Sequence, residues 1–310
     1  MSVYHSKDYI YAVHGEDAYA SGKGSTLHDQ TALEAGDVAE LVTMPLPSDG
    51  PNIPLLEYEW EKLKAPSLGA DTVVQAIKGI KYNDFVIPQY VQPLADGSYW
   101  IDQAFEAITG GIVQTSYTFH FESGENQSDI FGAVIKEYSL TIEDGFLTES
   151  ITFLYYSIKD TAGGATTVTN LRTSKPFITT APSIMKDFHL TLDGDDVSEY
   201  IVSGSVKITF DLDDRQPAGR YYRFDPVVSA RDVLITCKLR GIDPSAQIRI
   251  PSSTAANLIS IILSVNGNSN YWTLTNFRCS KSNANDMPKE GIKEYDLEFE
   301  NRGACTYTKT

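Results

Sequence analysis

Residues 134–160, VIKEYSLTIEDGFLTESITFLYYSIKD, constrain the fold of this chain more than any other stretch. Tyr138, Leu140 and Ile142 alternate with Ser139, Thr141 and Glu143, the period of two that belongs to a half-buried strand. Glu143-Asp144-Gly145 supplies a turn, Gly145 being able to take a positive φ. The chain returns through Ile151, Phe153 and Tyr155, which alternate with Thr152, Leu154 and Tyr156. This pattern predicts a long antiparallel hairpin with one oily face and one face rich in Thr, Ser and Tyr. A face of the second kind meets water, or a neighbouring subunit that also contributes strands. The chemistry of the segment is backbone pairing, and no catalytic group stands out in it.

With 310 residues the chain can build one large or two modest domains around a sizeable core. Its net charge of −16 is the less ordinary number. A surface of that sign repels nucleic-acid phosphate, which argues against a basic DNA-gripping protein; it also fits adaptation to a salty medium. Cys237, Cys279 and Cys305 are widely spaced and form no CxxC pair, so neither a zinc ribbon nor a disulfide scaffold is expected. Isolated thiols of this kind suit assembly in a reducing compartment. The start, MSVYHSKDYI, lacks the basic beginning and apolar run of a signal peptide. The most apolar window, 258–265, is too short to span a bilayer, so a soluble protein is expected.

Residues 1–50 are polar and rich in Gly, Ser, Asp and Ala, and 44–54 (MPLPSDGPNIP) reads as a connector. Trp100, Ile101, Ala104, Phe105 and Ile108 recur at helical spacing after a cap at Ser98, which predicts a short amphipathic helix. A second helix is expected over 70–77. From Tyr117 onward strand patterns dominate: Tyr117, Phe119 and Phe121; Phe188, Leu190 and Leu192; Val206, Ile208, Phe210 and Leu212; Val233, Ile235, Cys237 and Leu239. Gly194-Asp195-Asp196 marks a turn among them. Residues 252–263 (SSTAANLISIIL) are read as a helix capped by Ser253, with a buried strand as the alternative because 259–262 is β-branched. Strands at 271–277 and through Tyr295, Leu297 and Phe299 close the chain. The expected fold is mainly β, an antiparallel sandwich or barrel with one or two packed α-helices. Segments 134–158 and 188–212 both read strand, acidic turn, strand, which fits either a duplicated hairpin or convergent patterning.

Taken in order, these pieces resemble the tail tube (major tail) proteins of long-tailed phages and of tailed archaeal viruses. The residues that carry the resemblance are VIKEYSLTIEDGFLTESITF (134–153), SGSVKITFDLDD (203–214), FDPVVSARDVLITCKLRG (224–241), ANLISIIL (256–263), WTLTNFRCS (272–280) and EGIKEYDLEFENRG (290–303). In that family a connection like 224–232 precedes a strand, and a helix then packs on the barrel. A closing strand there ends in an apolar–Glu–Phe pattern, as at Leu297-Glu298-Phe299. The likeness covers roughly residues 130–303, with an echo at 15–19; residues 45–112 depart from it and read as an insertion or outward-facing elaboration of a single domain spanning 1–310.

The resemblance implies a structural virion protein that self-assembles. Subunits would form stacked, hexameric rings whose strands complete an inner β-barrel without free edges. Viral DNA would pass through the lumen without specific binding, helped by like-charge repulsion. Glu143, Asp144 and Glu149 are the acidic residues expected to line it. The implied partners are further copies of the chain, together with tape-measure, tail-terminator or baseplate proteins. The implied setting is the virion tail, assembled in the host cytoplasm, with no membrane partner.

Other constellations carry less. SGKGST (21–26) has the wrong spacing for GxxxxGK[ST], and Gly24 follows Lys23 where Ser or Thr would be needed. Asp193-Gly194-Asp195-Asp196 fails the calcium-loop pattern at Ser198 and Gly204 and reads as an acidic turn. His5, His14, His28, His120 and His189 are scattered, without HExxH or a GxSxG elbow. RQPAGRYYR (215–223) is the one basic-aromatic cluster, and Asp211, Asp213, Asp214 and Asp225 largely cancel its field, so inter-subunit ion pairs are expected there rather than nucleic-acid stacking. No catalytic, cofactor-binding or metal-ligating residue is assigned, and no cofactor is expected. Two rival functions stand beside the tube: another β-rich virion component (baseplate, decoration or adhesin domain) that binds a ligand, and a carbohydrate-active β-sandwich using Trp60, Trp100 and Trp272.

Overall fold

The structure, a computed structural model, describes residues 9–15, 42–44, 57–64, 73–81, 84–94, 97–106, 108–109, 112–113, 116–123, 126–160, 181–213, 227–242, 258–267, 271–284, 293–302 and 305–310. Alternating sequence becomes strand almost throughout. In chain order these are β1 (Tyr9–Gly15), β2 (Val42–Met44), β3 (Glu57–Lys64), β4 (Val73–Lys81), β5 (Phe85–Tyr90), the helix α1 (Trp100–Glu106), β6 (Ile108–Thr109), β7 (Ile112–Val113), β8 (Tyr117–Ser123), β9 (Asn126–Ile142), β10 (Thr148–Leu154) and β11 (Ser157–Asp160). They continue as β12 (His189–Leu192), β13 (Asp195–Asp196), β14 (Ile201–Asp213), β15 (Val227–Arg240), β16 (Ile259–Ser264), β17 (Trp272–Ala284), β18 (Glu294–Asn301) and β19 (Tyr307–Lys309). Every pairing among them is antiparallel. The fold is thus mainly antiparallel β, and α1 is the only α-helix among the described residues.

The hairpin predicted from the alternation is β9–β10, with Ser139 opposite Ser150 and Tyr138 opposite Ile151. Gly145 in its turn has φ 112°. β9 is longer than the sequence pattern suggested because it serves two sheet regions. Its first half pairs with β8 and β11, and its second half with β10 and β14. Gly132 lies between the halves with φ 61°, a conformation that a side chain would strain. At the same level β10 gives way to β11 through Tyr155 and Tyr156. The two regions therefore diverge about β9.

From the second half of β9 the sheet runs β5–β10–β9–β14–β15–β18–β17–β16–β12. From the first half, β8 carries β1 and β1 carries β2. The regions face one another across a core of rings: Phe85 of β5 lies 5.3 Å from Phe119 of β8 and 5.1 Å from Phe153 of β10, and Phe119 lies 4.8 Å from Phe153. Trp100 of α1 joins them 5.4 Å from Phe153 and edge-on to Tyr117. This two-layer packing is sandwich-like, and burying aromatics of this size dominates the energetics of such a core.

Three local expectations change. Residues 259–264 are not helical: they form β16, inserted between β12 and β17, with Ile259, Ile261 and Leu263 buried. The β-branched run finds hydrogen-bonding partners on both edges, which a helix would forgo. The helix expected over 70–77 is replaced from Val73 onward by β4, which pairs with β3 as a two-stranded sheet; residues 70–72 lie outside the described set. The third change is at the start of α1. The Asp102 carboxylate accepts the Tyr99 N–H at 2.9 Å, and Ser98 instead accepts from the Gln103 amide. The segment expected as an elaboration, 45–112, contains both β3–β4 and the core elements β5 and α1. Residues 21–26 and 215–223, and the connector over 45–54, lie outside the described set.

Candidate functional site: the long hairpin and its polar sheet face

The alternation along β9, β10, β14, β15 and β18 sends one set of side chains into the core and the other set to a broad outer face. Tyr138, Leu140, Ile142, Ile151, Phe153, Val206, Ile208, Ile235 and Leu297 are buried. Opposite them lie Ser139, Thr141, Ser150, Thr152, Ser205, Lys207, Thr209, Thr236 and Lys238, all partly exposed. Hydroxyls and charges pair across the strands. Ser205 and Thr236 hydroxyls meet at 2.8 Å, Lys207 reaches Glu137 at 3.0 Å, and Lys238 reaches Glu294 at 3.1 Å. Hydrogen bonding to Glu294 and its charge hold the Lys238 ammonium above its ordinary value. Half-exposed pairs of this kind are screened by water, so they set register more than stability.

Acidic side chains follow one another along β18 on this face. Glu300, Glu298, Asp296 and Glu294 stand opposite Leu234, Thr236, Lys238 and Arg240 of β15. On the other side β17 contributes Arg278 opposite Glu300 and Lys281 opposite Glu298. The acidic strand is thus flanked by bases.

At the hairpin turn Glu143 and Asp144 are exposed. Glu149 is not. It is 3% exposed, and it shares the inward parity of Ile151 and Phe153. That parity was legible in the alternation and places Glu149 opposite Gln89 and Leu140 rather than toward water. Its carboxyl meets the Gln89 amide at 2.6 Å and the Tyr138 hydroxyl at 3.0 Å. Burial, the largest influence, pushes this carboxyl up to about 8.

Beside the turn an apolar cluster reaches the surface. Phe146 is 52% exposed and packs its ring 5.5 Å from Tyr90, while Ile184 forms an isolated bridge with Phe146. Sequence alternation does not reveal this cluster, because its members come from three separate segments.

His189, Ser198 and Asp196 come together without forming a hydrolytic triad. The Ser198 hydroxyl lies 3.1 Å from His189 Nδ1 and 2.6 Å from Asp196 Oδ1, so serine and carboxylate share one side of the imidazole. A triad needs the histidine between them. The same hydroxyl accepts the Leu190 N–H, and the trio braces the Asp193-Gly194 turn between β12 and β13. The Ser198 contacts hold Asp196 below its ordinary carboxylate value although its partial desolvation, the largest influence, acts the other way.

Trp100 and Trp272 are buried, so neither offers a sugar-stacking surface; the side chain of Trp60 lies outside the described set. Trp272 instead donates its indole N–H to Asp102 at 2.6 Å. Lys309 of β19 reaches the same carboxylate at 3.0 Å. All three cysteines are free, and burial raises the Cys237 thiol to about 12, which makes it a poor nucleophile. Among the described residues no cluster of His, Cys, Asp and Glu has metal-binding geometry, and no helix is long and apolar enough to cross a membrane.

The class these features define is a mainly antiparallel β protein with a broad polar sheet face. No family model matches the chain, and no curated protein matches it.

Proposed function

We propose that this chain is a structural virion protein of the tail-tube kind, which self-assembles into stacked, hexameric rings. The observation that carries this reading is the sheet β10–β9–β14–β15–β18. One face is sealed by the chain's own core, and the other is covered by hydroxyls and by charges that are mostly paired. Such a face suits a wetted lumen because hydroxyls and paired charges dominate it. The net charge of −16 opposes phosphate binding. In this reading neighbouring copies extend the sheet edge to edge and remove free edges. Tape-measure, terminator or baseplate proteins would meet the tube at its ends, and the protein would reside in the tail after assembly in the host cytoplasm.

A second reading draws on the exposed Tyr90–Phe146–Ile184 cluster. Here the chain is another β-rich virion component, of baseplate, decoration or adhesin type, that engages a ligand through the hairpin end.

Negative-stain electron microscopy with light-scattering mass over a concentration series separates the two. Six-fold rings or hollow filaments are expected from the tube subunit. Particles that remain monomeric at every concentration, even when mixed with preformed tail ends, would favour the ligand-binding component.

A further inference from the structure

Among the described residues no cation is in contact with the buried Glu149 carboxyl. The described titratable groups around it are Tyr138 from β9, Tyr99 from the residue before α1, and Asp102 from α1, whose carboxylate is itself paired with Lys309 of β19 at 3.0 Å; β5 contributes the neutral Gln89. Gln89 and Tyr138 are themselves buried. The contact between the Gln89 amide and Glu149 Oε1 measures 2.6 Å. A contact of that length fits either partner as the donor, since the Trp272 N–H meets the Asp102 carboxylate at the same distance. An amide side chain turned over by a half-rotation presents its oxygen at the same place. The geometry therefore fits a neutral carboxylic acid that donates to the Gln89 carbonyl and accepts from the Tyr138 hydroxyl.

These bonds tie β5 to both strands of the hairpin, next to a closed circuit of backbone bonds. Val91 N–H donates to Leu147 at 3.0 Å, Leu147 N–H to Ser183 at 2.9 Å, and Ser183 N–H back to Val91 at 2.8 Å. Tyr90, Phe146 and Ile184 stand on the residues immediately beside that circuit.

We propose that Glu149 is a proton-operated latch: as the neutral acid it joins β5 to the β9–β10 hairpin, and its ionisation opens the joint at the end bearing Tyr90 and Phe146. Opening returns the carboxyl to water and to its ordinary value of 4.5, whereas the closed joint holds its proton up to about 8. Closure is therefore strongest below the ordinary value and weakens as pH rises through the interval between the two.

Hydrogen exchange at the Val91, Leu147 and Ser183 amides, corrected for the intrinsic exchange rate at each pH, tests the latch. In the wild-type chain the opening constant is expected to rise about tenfold per pH unit across that interval and then level off. In Glu149→Gln, which keeps one donor and one acceptor at the same place, it is expected to stay flat. A Glu149→Gln variant with the wild-type slope would overturn the proposal. Should that variant fail to fold, infrared spectroscopy of the wild-type chain labelled with carbon-13 glutamate decides the matter. A neutral-carboxyl band that persists at neutral pH and titrates away on the alkaline side is expected, and its absence at neutral pH would overturn the latch.

Discussion

Gly204 illustrates how narrowly one position can be specified. Its φ is not in the left-handed region, so conformational freedom is not the reason for glycine here. A Cβ at this site would instead lie 2.6 Å from the Thr236 carbonyl oxygen of β15. The register next to it shifts between Ile201 and Ser203, which brings the two backbones together. Gly204→Ala is expected to destabilise the chain by about 1–3 kcal/mol, the usual range for overpacking, with Ser205→Ala at the next position costing about 1 kcal/mol or less. Urea denaturation of the two variants checks this, and an alanine at 204 with an unchanged midpoint would refute the close approach. Nothing in the sequence around SGSVKITF announces the steric demand at Gly204, because it arises from a strand that follows in the chain.

Elements were legible where each made its own pattern and illegible where partners decided. The β9–β10 hairpin follows from alternation and a turn glycine, both local. β16 does not: Ala256, Ile259, Ile262 and Leu263 make a helical stripe while Ile259, Ile261 and Leu263 alternate as a strand, and the edges of β12 and β17 settle the choice. α1 lies where helical spacing put it, yet its anchoring was invisible, since Asp102 binds Trp272 and Lys309 from the other end of the chain. The same anchoring makes β19 a dependent element. It has three residues, pairs only with β17 among the described strands, and is further held by Arg231 stacked 3.8 Å over the Tyr307 ring. Lys309→Met is expected to leave a buried carboxylate with its two N–H donors but no counter-charge, and to speed exchange of the Thr310 amide, which donates to Tyr271 at 2.9 Å. Exchange within β18 is expected to stay at its wild-type rate. Equal acceleration in both strands would mean that β19 does not open as its own unit.

At the scale of the whole molecule, the charge carried by the exposed hairpin turn and the fold are nearly independent. Glu143 and Asp144 project from the hairpin turn, away from the core. Reversing both to Lys adds two charges at each position, taking the net charge from −16 to −12. Folding stability is expected to change by about 0.5 kcal/mol or less, as for surface positions generally. If the chain forms a tube, rings are expected to assemble normally while DNA delivery slows; full infectivity of particles built from the variant would remove the electrostatic role assigned to the turn. Thermal melts, electron microscopy and infectivity assays check these outcomes in that order.

The shared strand β9 bears on how such a chain can change over generations. A residue inserted within one of its regularly paired stretches would turn the side chains from there to the next bulge to the opposite face; β9 already holds two such register shifts, opposite Tyr117–Phe119 and opposite Thr152–Phe153. Between those points drift in β9 favours substitution. Length variation among descendants is expected to collect in the connections between strands, and β9 to remain the ruler against which their differing outlines are measured.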